Sequence, residues 1–123
     1  MASVEREAVH WLISNFGNTG NTVRASKLHK KQSVWWLEIP LRYIETPASD
    51  EIDLLCKDEE TPGANKFHYL KVPVKFFKGK LSKLCLRKNG KLLSLLLSAE
   101  PETKFADQRG NGGVDFSSFM QKR

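Results

Sequence analysis

Between Phe67 and Phe77 rings and cations are interleaved: Phe67, Tyr69, Lys71, Lys75 and Phe77 all occupy odd-numbered positions. On a strand, whose side chains alternate between two faces, all five would share one face. A sheet holds a single nucleic-acid strand in this way, stacking bases on aromatic rings and meeting phosphates with ammonium groups. The charge distribution extends the pattern. From Lys66 to Ala99 there are nine cations and no acid, whereas seven of the fourteen acids fall between Glu45 and Glu60. A second basic cluster, Arg24, Lys27, Lys30 and Lys31 with His29, precedes a Trp-rich segment. The expected nucleic-acid contacts are therefore Lys71, Lys75, Tyr69, Phe67, Lys78, Lys80, Arg87, Lys88, Arg24, Lys27, Lys30 and Lys31, with Trp36 as a further stacking ring. The partner would be DNA or RNA. Neither the Lys/Arg-Gly-Phe-Gly-Phe type of aromatic motif nor a Gly-x-x-Gly clamp is present.

A different chemistry is suggested by Glu51-Ile52-Asp53-Leu54 followed, eighteen residues after Asp53, by Lys71. Over residues 4 to 77 this arrangement, a helix and then strands, resembles the restriction-type nucleases of the Asp…(Asp/Glu)-x-Lys class. The resemblance implies an acid on one hairpin strand, and an acid and a lysine two apart on the next, around a divalent metal. Asp53 and Lys71 match that pattern, but Tyr69 stands where the second acid belongs. Too few oxygen ligands then remain to hold Mg²⁺ and position water unless Glu38 or Glu51 substitutes. Mg²⁺ is implied under this reading alone; no cofactor is otherwise expected.

A third class of function is an interaction module. Trp36 and Arg42, with Pro40 between them, are expected on the outward side of the Trp strand, where a homodimer or a protein partner would add a strand. His10, His29 and His68 lack a partner at metal-ligand spacing. Cys56 and Cys85 lie in apolar runs and read as buried reduced thiols, not a redox pair. Gly110, Gly112 and Gly113 beside Arg109 lack the Lys and Ser/Thr of a phosphate loop.

The elements that must position these residues follow from periodicity. Residues 3–16 predict a helix, capped by Ser3, ended by Gly17, with Val4, Ala8, Trp11 and Leu12 along one side. Strands are predicted at 23–28, 33–44 (Trp35, Leu37, Ile39, Leu41 and Tyr43 inward, Pro40 marking an edge or a bulge), 51–56 and 67–77. Lys88-Asn89-Gly90 between apolar runs predicts a hairpin, and Asp115 starts a last helical turn. Residues 57–66 read as a polar loop, and 101–114 as a flexible loop or tail.

The expected fold is α+β: an N-terminal helix on a mostly antiparallel sheet of about five strands, with a short C-terminal helical turn. The 123 residues suit one domain, 1–123. With 40% hydrophobic residues the chain can build a core, and a net charge of +6 favours polyanions. No apolar run approaches the ~20 residues that cross a bilayer, and the N-terminus does not read as a signal peptide. No membrane partner is expected, and a cytoplasmic location is the default.

Overall fold

A computed structural model of the chain describes residues 3–58 and 66–122. Its elements are α1 (Val4–Phe16), β1 (Thr22–His29), β2 (Val34–Pro40), α2 (Arg42–Glu45), β3 (Glu51–Lys57), β4 (Phe67–Pro73), α3 (Val74–Lys80), β5 (Cys85–Arg87) and β6 (Leu92–Ser98), with 3₁₀ turns at 81–83, 101–103 and 117–119. The fold is α+β as expected. Its sheet has six strands, not five, in the order β4-β3-β1-β2-β6-β5. β1 and β3 are parallel and every other pair is antiparallel. Most of the predicted polar loop 57–66 lies outside the described residues.

Helix α1 begins where Ser3 accepts the Arg6 amide at 3.1 Å and ends at Gly17, whose φ of 86° suits glycine. Ala8 and Leu12 are buried against Leu55, Phe67 and Tyr69, with Val4, Trp11 and Phe16 packed around them and Val23 and Ala25 below. The helix therefore covers β1, β3 and β4. Ion pairs fasten its N-terminal half: Glu5 to Arg24 at 3.2 Å, and Glu7 to Lys57 at 2.9 Å and to Lys66. Ile13, on the side of α1 away from the sheet, is half exposed.

The opposite face of all the long strands carries the larger core, which includes Trp35, Leu37, Ile39, Leu54, Val72, Leu93 and Leu95. Helices α2 and α3 and the chain after residue 100 cover it. The segment 101–114 is stitched to β6: Phe105 donates to Ser98 O, Ser98 to Ala106 O and Gln108 to Leu96 O, at 2.7–2.9 Å. Phe105 and Phe116 are thereby buried at 2% and 0% exposure. The β5–β6 hairpin forms at Lys88-Asn89-Gly90, all three with left-handed φ.

Two predicted strands end early, both at proline. β2 stops at Pro40, and Leu41 turns into the right-handed region to open α2. β4 stops at Pro73, a non-hydrogen-bonded position of the β3–β4 register; the Val74 amide still donates to Asp50 O at 2.8 Å, and residues 74–80 then become α3. Val74 and Phe77, three apart, would lie on opposite faces of a strand but share one face of a helix, and both are buried. Nor is β2 an edge strand: it lies between β1 and β6, with Pro40 at its end.

Two outcomes follow. Phe116→Ala should lower unfolding free energy by about 3–5 kcal/mol in urea titration, because the C-terminal segment is core, whereas Ile13→Ser should change it by less than about 0.5 kcal/mol. His68 lies edge-on between Trp35 and Phe105, ring centroids 5.6 and 5.5 Å away, and burial, with Lys104 adding to it, holds its pKa below the ordinary 6.5. The unfolded chain then takes up the proton first, so stability is full above about pH 6.5 and falls as pH drops below it. Melting temperature between about pH 5 and 7 should show this fall in the native chain and less of it in His68→Gln.

Candidate functional site

One α-helix is about 10 Å wide and strands are spaced by about 4.8 Å, so α1 has room over only two or three of the six strands. The same side of β2, β6 and β5 is left without a helix above it. Register pairs Trp36 with Leu96, Glu38 with Ser94, Cys85 with Ser94 and Arg87 with Leu92, so these side chains share that face. Trp36 is one of three large hydrophobics exposed among the described residues, at 39%.

The indole is held in place. Its Nε1–H donates to Ser94 Oγ at 3.0 Å, and the Arg109 Nη1 donates to the same oxygen at 2.7 Å. The Arg109 and Arg87 guanidiniums lie 5.2 and 5.6 Å from the ring centroid, within cation–π range, and the His29 ring is 6.2 Å away. Arg87 also pairs with Glu38 at 3.1 Å. Arg109 has no carboxylate within ion-pair distance among the described residues.

Arg109 reaches this place because its loop is pinned. The buried Asp107 carboxylate accepts the amides of Leu96, Arg109 and Gly110 at 3.0, 3.2 and 2.9 Å. At Gly110 a Cβ would collide with the Lys83 carbonyl, so only glycine fits there. Beneath Trp36, β1 and β2 share register only at Leu28–Trp35 and His29–Val34. Farther along, side chains replace the ladder: Ser26 Oγ accepts the Trp36 amide at 3.1 Å, and Arg24 Nε donates to Glu38 O at 2.8 Å. Arg24 thus joins the rim of the uncovered face.

The residues predicted as a β4 binding face are not assembled there. Phe67 and Tyr69 are buried under α1 at 4% and 3% exposure and cannot stack on a base, and Phe77 is in the opposite core. Lys75, Lys78 and Lys80 belong to α3, off the strand. Lys71 remains on β4, 3.7 Å from Glu51. Arg87 and Arg24 are the predicted cations brought to Trp36; Lys88 lies in the β5–β6 hairpin, Lys27 near the end of β1, and Lys30 and Lys31 in the turn before β2. Arg42 is not beside Trp36: it lies on α2 against its own neighbour Tyr43. β2 lies between β1 and β6, and its 36–40 stretch, where strand addition at a Trp/Pro edge was expected, is bridged to β1 by the side chains of Ser26 and Arg24. Sequence reasoning missed Arg109 and Ser94; the Arg-Gly-Asn-Gly-Gly stretch was their only trace, read as a loop without a phosphate motif.

The nuclease-like pair is adjacent, for Asp53 lies directly opposite Lys71 in the β3–β4 register. Its carboxylate, however, is fully buried and filled by neutral donors: Tyr69 OH at 2.8 Å, Thr19 Oγ1 at 2.6 Å and Asn21 Nδ2 at 3.1 Å. Tyr69, at the missing acid's position, donates to Asp53 in place of offering a second ligand. Burial and this bond raise the Tyr69 pKa. Glu38 is on β2, paired with Arg87, and no group of three or more His, Cys, Asp or Glu able to hold a metal occurs among the described residues. Both cysteines are free, and burial pushes the Cys56 thiol pKa far up.

The chain matches no protein-family model, no curated protein and no solved structure at a significant level.

Asp53 is thus a structural acceptor that ties the α1–β1 loop to the sheet. Tyr69→Phe should lower unfolding free energy by about 1.5–3 kcal/mol, the range for a hydrogen bond to a charged group; a loss below about 0.5 kcal/mol in denaturant titration would contradict that role.

Proposed function

We propose that this protein binds single-stranded nucleic acid on the uncovered face of β2, β6 and β5, with a base stacked on Trp36 and phosphates met by Arg109, Arg87 and Arg24. The observation that carries the reading is the exposed indole fixed by Ser94, with the guanidinium of Arg109, which has no carboxylate within ion-pair distance among the described residues, against it. An exposed tryptophan that already has its orientation loses little freedom when a base stacks on it, and stacking is indifferent to base identity because every base has a π-face. The guanidiniums supply the charge. Among the described residues Arg109 has no counter-charge to give up, whereas Arg87 and Arg24 must exchange Glu38 and Glu5 for phosphate. Net charge of +6 adds long-range attraction.

Two substitutions separate stacking from charge. Trp36→Ala should weaken binding of a fluorescent single-stranded oligonucleotide by about 1–3 kcal/mol, independent of salt. Arg109→Gln should weaken it mainly at low salt and flatten the dependence of log affinity on log salt by about 0.7, the value of one single-strand phosphate contact. Anisotropy titrations at several salt concentrations measure both. No binding by the native chain at low salt, or a Trp36→Ala variant that binds as the native chain does, would defeat the reading.

A further inference from the structure

The loop that delivers Arg109 to Trp36 does not end there. It continues over the sheet edge, where Gly110 presses on Lys83 and Leu84, the Asn111 amide donates to Lys83 O at 3.1 Å, and Gly112 lies against the Lys83 aliphatic stem. Beyond the edge it forms one wall of an open cavity of about 320 Å³, lined by Phe76, Lys80, Lys83, Gly112, Gly113 and Asp115. The chemistry of this cavity repeats that of the Trp36 face. The Lys80 ammonium lies 5.8 Å from the Phe76 ring centroid, and neither Lys80 nor Lys83 has a carboxylate within ion-pair distance among the described residues. The cavity's acid, Asp115, is engaged by the Ser117 amide and hydroxyl at 2.9 and 3.0 Å.

We infer that this cavity is a second phosphate subsite for the same nucleic-acid strand, reached from Trp36 by passing over Arg109 and the Gly110–Gly113 loop. The inference rests on the proposed function and sets its site size. The four residues from Arg109 to Gly112 span at most about 13 Å, a crossing of only a few nucleotides for a single strand. A strand that touches only Trp36 needs few nucleotides, while one that also fills the cavity must be longer. At Gly113 an added Cβ would meet nothing within 4 Å, so the missing side chain there leaves the outer surface of the loop bare.

The test compares oligothymidines of about four and about twelve nucleotides, lengths within the range of single-strand site sizes. The native chain should bind the longer one more tightly by at least about tenfold. Lys80→Glu with Lys83→Glu should remove that advantage, while its binding of the short oligonucleotide should match that of an equal charge change elsewhere. Lys75→Glu with Lys78→Glu, an equal charge change at exposed positions of α3, controls for net charge and should keep the advantage. Equal affinity for both lengths, or equal loss in the two charge-reversed variants, would overturn the second subsite and leave the Trp36 site standing. Failure of the native chain to bind either length would overturn the Trp36 site, and the subsite with it.

Discussion

A single helix on one side of a six-stranded sheet is the constraint from which the surface of this protein follows. The sheet's other side is closed by α2, α3 and the stitched C-terminal segment, which together bury the large core around Leu37, Leu54 and Leu95. On the α1 side there is apolar cover for β1, β3 and β4 only, and the sequence conforms to that limit. Under the helix the side chains are Leu55, Phe67 and Tyr69; beyond it they are Trp36, Glu38, Ser94 and Arg87, a mixed set that tolerates water. The proposed binding face is that remainder.

Polar groups buried at 0–5% exposure hold the two halves together. Asp53 fixes the loop that turns α1 into β1, and Asp107 fixes the loop that brings Arg109 across the sheet. Each carboxylate accepts three donors, the arrangement that makes a buried acid tolerable without a cation. Ser26 performs a smaller version of the same task where β1 and β2 separate. These are positioning roles, and they absorb the acid on which a metal-dependent reading of Asp53 and Lys71 depended.

Much of the fold was legible because local signals agreed with it. Ser3 and Gly17 bounded the helix, the alternation of Trp35, Leu37 and Ile39 showed the inward face of β2, and Asn89-Gly90 marked the hairpin. The site was less legible, for two reasons. Val74 and Phe76 continue the alternation of Leu70 and Val72, so the strand was extended through Pro73 and its aromatics were placed on a solvent face, whereas the pair actually buried, Val74 and Phe77, has helical spacing. Which side of a strand is covered is a tertiary fact: Tyr69 and Trp36 look alike in sequence, yet one meets Phe16 at 5.0 Å beneath α1 and the other has no helix above it. Arg109 was hidden more deeply, since Asp107 and Ser94 are far from Trp36 in the chain and join it only through the β2–β6 register.

The most direct measurement is a ¹⁵N–¹H titration of the three tryptophan indoles with a single-stranded oligonucleotide. Trp35 Nε1 is bonded to Lys57 O inside the core, and Trp11 lies beside Phe16 and Phe67, whereas Trp36 Nε1 sits at the proposed contact. The account predicts that the Trp36 indole resonance shifts or broadens on binding while the other two stay in place. An unchanged Trp36 resonance at saturating oligonucleotide would contradict it.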